Sequence, residues 1–215
     1  MSAAGTPPRT DPAALAIACA MAFLAGATDV AGLIRLNGVF VSFMSGNSTL
    51  LGIAFGEADG GRAGTIAVVI ALFVAGATLG AVLAVRAGPH HAPAVMAAVA
   101  LVLLVPLASP AAAVAAFAIA MGLLNGAMTR AGRTGVSLTY VTGALVKFAH
   151  GLGARLCGRR ADSGWQLQAL LWIALIAGAV AAARIRPLLA SDVPWPLPAM
   201  AAILAVASAF RPFPE

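Results

Sequence analysis

Charge is scarce in this chain. Only 9% of its 215 residues are Asp, Glu, Lys or Arg, against about 25% in a soluble domain. A water-soluble fold of this length would lack the polar residues to cover its surface. The thirteen basic residues exceed the seven acidic ones, for a net charge of +6. The arginines are scattered among short loops and form no patch with aromatics, so no nucleic-acid partner is expected. Cysteine is scarce too. Cys19 and Cys157 stand far apart without metal-ligand spacing. Both read as small buried hydrophobes rather than a disulfide or a ligand pair. Of the three histidines, His90 and His91 share a proline-flanked loop. HExxH, Walker-type, GxGxxG and GxSxG motifs are all missing, which gives no sign of zinc, nucleotide or acyl-transfer chemistry. No cofactor, no metal and no enzymatic activity are expected.

Long apolar runs are what the chain has instead. It is 61% hydrophobic, with a mean hydropathy of +0.98. Such a composition predicts an all-α fold, a polytopic membrane helical bundle in the lipid bilayer. Residues 1–12 are polar and proline-rich and read as a disordered tail. The competing reading is a cleaved signal peptide, but the apolar run continues unbroken to Ile34, which suits a retained helix. Eight apolar segments follow, at about 13–34, 38–56, 65–85, 94–108, 111–128, 135–153, 165–183 and 198–210. The fourth is expected to break at Pro106.

The second and sixth segments resemble each other. Residues 38–56 read GVFVSFMSGNSTLLGIAFG and residues 135–153 read GVSLTYVTGALVKFAHGLG. Aligned without gaps, glycines 38/135, 46/143 and 56/153 coincide, and Ser42/Thr139 and Ser45/Thr142 are conservative pairs. Upstream, Gly26-x-x-Asp29 matches Gly122-x-x-Asn125. The expectation is two homologous repeats, 13–108 and 111–210, with a period of about 97 residues. Each repeat carries one apolar segment with a polar centre.

The number of crossings is less determined. If all eight segments cross, the arginines divide six and six between the two sides. If the two polar-centred segments dip in and return, the division is eight cytoplasmic against four. That is the direction that cytoplasmic loops favour. Nineteen residues are nevertheless long enough to span, so six to eight crossings stay open.

Within the segments a few polar residues stand out. Asp29 lies in the first one, where an ionisable group costs about 2.5–3.5 kcal/mol on insertion scales and marks an interior partner or a site. Its bland alternative is an end-of-segment carboxylate reaching Arg35 or interfacial water. Lys147 lies in the sixth segment with His150 three residues on, and a Lys147–Asp29 pair would neutralise both charges. Lys147 could equally snorkel to the headgroups. Ser45, Gly46, Asn47, Ser48 and Thr49, with Thr139, Tyr140, Thr142 and Gly143 in the repeat, could line a cavity if the helix opens at the glycine. Small hydroxylated residues also serve plain helix packing.

At these residues the chain resembles a known family, the YoaK-type bacterial membrane proteins or domain of unknown function 1275. The first hallmark is matched by Asp29, Gly38, Phe40, Val41, Ser42, Met44, Ser45, Gly46, Asn47 and Thr49. Ser48 stands where threonine is usual. The second hallmark is matched by Asn125, Thr139, Tyr140, Val141, Thr142 and Gly143, followed by Leu145, Val146 and Lys147. The resemblance implies a multi-pass protein of the bacterial inner membrane and supplies no substrate. From the residues themselves, a small secondary transporter for a polar solute or ion is expected. The proposed site joins Asp29, Ser45–Thr49, Asn125, Thr139–Gly143 and Lys147. The alternative is a non-transporting intramembrane binding or accessory protein.

Overall fold

The computed structural model describes residues 12–128, 141–161, 164–186 and 196–210. The expected N-terminal tail lies almost entirely outside them. Among the described residues there are eight α-helices: α1 Pro12–Arg35, α2 Met44–Gly56, α3 Gly60–Ala87, α4 His91–Ala108, α5 Ala113–Met128, α6 Val141–Leu156, α7 Trp165–Ile185 and α8 Pro196–Ala209. No β-strand occurs among the described residues.

At 1.5 Å per residue, α1, α3 and α7 are about 36, 42 and 32 Å long, enough for a hydrocarbon core of about 30 Å. Among the described residues, three helical stretches are long and apolar enough to cross a membrane: Pro12–Arg35, Gly60–Ala108 and Trp165–Ile185. The second contains both α3 and α4, joined by a 3-10 turn at Gly88–His90. α2 and α8, at about 20 and 21 Å, are each shorter than that core. Large apolar side chains point outward along the long helices. Val85 on α3, Leu101 on α4 and Ile203 on α8 are 63%, 67% and 67% exposed. Such a surface suits lipid.

Two features differ from the sequence expectation. α3 begins at Gly60 rather than near Thr65, because the Asp59 carboxylate accepts the Arg62 N–H at 2.9 Å and caps the new helix. α4 runs through Pro106 to Ala108. Proline removes one backbone donor near the last turn, where the helix is ending anyway.

Helix α5 is central, packed on α3, α4 and α1. Its Phe117, Ala120, Met121 and Leu124 are fully buried. A stripe of α1, Met21, Leu24, Ala25 and Thr28, faces the same core at helical spacing. The closest helix pairs are α1 with α7 and α3 with α5. Both cross on glycine. A methyl group placed on Gly26 would overlap the Leu175 carbonyl, and one on Gly178 would overlap the Phe23 carbonyl. On the other pair, Gly122 meets the Phe73 carbonyl and Gly76 meets the Ile119 carbonyl in the same way. Lipid tails solvate apolar side chains as well as protein does. Close backbone contact, and the dispersion it gains, is therefore what holds these crossings.

Candidate functional site

Between α1 and α2 the chain is not helical. α1 closes with Asn37 at φ 48° and Gly38 at φ 99°, and the Gly38 N–H reaches back to the Leu33 carbonyl at 3.0 Å. This is a Schellman-type end, which needs residues that tolerate positive φ. Val39, Phe40 and Val41 are β-branched or aromatic and favour extended backbone. α2 then starts at Met44. The polar residues that lie mid-segment in the sequence therefore occupy the first turns of a short helix.

Backbone that leaves a helix beneath a membrane surface needs other hydrogen-bond partners. Two side chains supply them. The carboxylate of Asp29 on α1 accepts the Ser42 N–H at 2.9 Å and the Val41 N–H at 3.2 Å. Its second oxygen accepts the Ser42 hydroxyl. Asn47 on α2 is buried and pairs with Phe40 on both edges. Its Oδ1 accepts the Phe40 N–H at 3.0 Å, and its Nδ2 donates to the Phe40 carbonyl at 2.7 Å. One turn beyond Asp29, Gly32 has no side chain, and Val41 packs into the gap. Phe43 lies against Gly46 and meets Phe40 edge-on, with ring centroids 5.3 Å apart.

The stretch thus turns back on itself. Val39, before the turn, and Ala54, near the end of α2, share one buried cluster with Ala63, Ile66 and Val69 of α3. The turn docks on α1 six residues before its end, about 9 Å along the helix.

The remaining site residues are placed as follows. Ser45, Ser48 and Thr49 lie on the exposed side of α2. Ser48 and Thr49 return their hydroxyls to the Met44 and Ser45 carbonyls, at 2.8 and 3.2 Å. Asn125 on α5 donates to the Met121 carbonyl at 2.8 Å. On α6, Thr142 and Lys147 are exposed and Gly143 partly so. Thr139 and Tyr140 lie outside the described residues. Asp29 and Lys147 do not form an ion pair; the Asp29 carboxylate is occupied by the turn. α2 packs on α3 and α6 packs on α7, where Trp165 covers Gly151. Neither short helix packs on the other. Cys157 is exposed, not buried as expected, because it follows the last turn of α6.

Two contributors are absent from the sequence reading. Gly32 carried a signal, since it stands at i+3 from Asp29 and shares its helix face. Gly178 carried none that single-sequence reading could separate from the other 22 glycines.

A family model described as "Protein of unknown function (DUF1275)" matches residues 17–207. A UPF0700 transmembrane protein from Rhizobium meliloti (strain 1021) is 34% identical over 198 residues, covering 92% of this chain and 86% of the relative. No solved structure matches the chain. Apolar exposed helices of spanning length, a family model along most of the sequence and this relative agree: the chain is a membrane protein and belongs to the DUF1275 family.

Proposed function

We propose that this chain is a multi-pass inner-membrane transporter, built from two related halves, that moves a small polar solute or ion past the polar ends of α2 and α6. The observation that carries the reading is the non-helical turn before α2, tied to Asp29 and Asn47. Unwound backbone at membrane depth, flanked by a half-helix, is the form in which many secondary transporters hold their cargo. Here a carboxylate and an amide fix that backbone, while Ser45, Ser48 and Thr49 remain exposed beside it. In this reading the two polar-centred helices, α2 and α6, dip in and return, leaving α1, α3, α4, α5, α7 and α8 as the six spans.

The reading of two halves draws support from the glycine crossings. Phe23 and Gly26 contact Gly178 and Leu175, while Ile119 and Gly122 contact Gly76 and Phe73. Each residue of the first set has its counterpart in the second, 96 or 102 positions away. In this reading each half lends its first helix to the other, and the two halves interlock along both crossings.

The test is uptake into proteoliposomes by the wild-type protein and by a Ser45→Ala, Ser48→Ala, Thr49→Val triple variant. These hydroxyls lie outside the Asp29 and Asn47 contacts, so the variant should melt like wild type and lose transport. Full uptake by the triple variant would remove α2 from the route. A second reading, an intramembrane binding or accessory protein, is favoured by α2 and α6 packing apart from each other. Under that reading a solute would raise thermal stability without any flux. Neither reading includes a catalytic step.

A further inference from the structure

Beyond the Gly26–Gly178 crossing, α1, α7 and α8 leave a cavity of about 340 Å³ between them. It is lined by Ala27 on α1, by Ala182, Ile185 and the adjoining Arg186 at the end of α7, and by Leu197 and Met200 on α8. Shifted by 96 positions on α1 and by 102 on α7 and α8, these residues become Leu123 on α5, Gly80, Leu83 and Ala84 on α3, and Val95 and Ala98 on α4. Burial along the last helices supports the second offset. Leu197, Pro198, Ala201 and Ser208 are buried on α8, as are Val95, Met96, Val99 and Pro106 on α4. The second set is closed. Leu123, Ala84 and Val95 are at most 4% exposed, and Leu83 and Ala98 pack against the same core. Ile185, the counterpart of Leu83, is 43% exposed. α3 packs along α4, whereas among the described residues α7 and α8 do not pack along each other. Side-chain size does not set this difference, because of the buried counterparts only Leu123 is larger than the residue it matches.

We infer that the chain has a second conformation in which these arrangements are exchanged: the α1/α7/α8 cavity closes and the α3/α4/α5 gap opens. The inference rests on the reading of two related halves given above. One packing unit present in two spacings has two arrangements open to it, and packed helix interfaces are bistable rather than continuously deformable. In the six-span reading α1 and α5 run in opposite directions, so the two gaps lie at opposite membrane faces. Neither glycine crossing has to separate, since both gaps lie on its C-terminal side. His91 marks the closed gap, one turn before Val95 on the same face of α4. Its Nδ1 donates to the Gly88 carbonyl at 2.9 Å. Its Nε2 has no partner, although the residue is only 4% exposed. A buried polar atom left unpaired is costly, and opening this gap gives it water.

The experiment is timed carbethoxylation of the full-length protein in detergent with diethylpyrocarbonate, read residue by residue by mass spectrometry. The reagent attacks a bare imidazole nitrogen, and exposed His90 next door is the internal standard. A second conformation populated at about 0.1–10% should put His91 about ten- to thousandfold behind His90. Ala182→Phe places a ring in the cavity and keeps α7 and α8 apart. It should slow His91 about tenfold further and leave His90 unchanged. If that variant does not fold, Ala31→Phe wedges the same cavity from α1. Fraying of the α3–α4 corner alone would also expose His91, but a wedge in the other half would not alter it. An unchanged His91 rate in the wedged protein therefore overturns the proposal. So does a His91 that never reacts in the wild type, or one that reacts as fast as His90. Labelling does not read uptake. Coupled gaps without flux would keep this inference and remove the transport reading, and flux without coupling would do the reverse.

Discussion

The glycine crossings and the turn before α2 solve the problem of lipid in opposite ways. At the crossings, α1 meets α7 and α3 meets α5 with no side chain between the backbones. Every amide there is already paired within its own helix, and only contact distance is at stake. At the turn, the helix is given up and backbone groups are exposed. Asp29 and Asn47 restore the lost pairing one hydrogen bond at a time. The first solution tolerates no added atom. The second tolerates no lost polar atom. Substitutions should therefore sort by which kind of change they make.

Added atoms should do the most damage. Gly178→Ala places a methyl against the Phe23 carbonyl, which cannot move without its helix. Overpacking costs about 1–3 kcal/mol and occasionally more, and contact with rigid backbone belongs at the top of that range. Gly26→Ala and Gly122→Ala meet equivalent carbonyls on α7 and α3. Their losses in denaturation of the purified protein should agree within about 1 kcal/mol, the scatter of one mechanism across sites. A large loss at one and none at the other would break the equivalence of the two crossings.

Lost polar atoms come next. Asp29→Ala strands two N–H groups and a hydroxyl. An unsatisfied buried donor costs about 1–3 kcal/mol, so a loss of about 3 kcal/mol is expected after partial relaxation of the turn. Asn47→Ala leaves only Phe40 unpaired, on its N–H and its carbonyl. About 2 kcal/mol is expected there, on the same reasoning. The check is thermal unfolding together with protease sensitivity of the turn. If both variants melt like wild type, water reaches this backbone and the turn is not sealed.

The same distinction explains what the sequence could tell. The helices were legible because apolar runs of spanning length leave few other choices. α1 and α7 were located to within two residues. Asp29 was legible as an oddity, since a carboxylate in an apolar run needs a partner. Its partner was not, because amides from a turn that does not exist until α1 and α2 are docked leave no trace in composition. A partner side chain such as Lys147 could be imagined; Val41 and Ser42 main-chain groups could not. Likewise Ser45–Thr49 looked like the middle of one long segment. That Asn47 would pair with Phe40 depends on the chain reversing at Ser42 and Phe43, which apolar periodicity does not encode. The cavity beside Arg186 is a gap between three helices and has no local signature at all.

The smallest effect should come from Asp29→Asn, and it is the most informative about charge. The amide has the shape of the carboxylate but one donor end. With its oxygen toward α2, it can still accept the Val41 and Ser42 N–H groups. Its NH₂ then faces the Ser42 oxygen, and a hydroxyl can rotate to accept instead of donate. All three contacts survive in reversed or weakened form. A loss of about 1 kcal/mol is expected, the difference between a charged and a neutral acceptor. That is well short of the loss for Asp29→Ala. Side by side, the two variants separate holding the turn from carrying charge. If Asp29→Asn keeps the fold but abolishes uptake into proteoliposomes, the charge itself works in transport. If it keeps both, Asp29 is a structural acceptor and the cargo is handled by the exposed hydroxyls of α2. If it unfolds as readily as Asp29→Ala, the hydroxyl cannot rotate, and the turn is held more rigidly than its hydrogen bonds require.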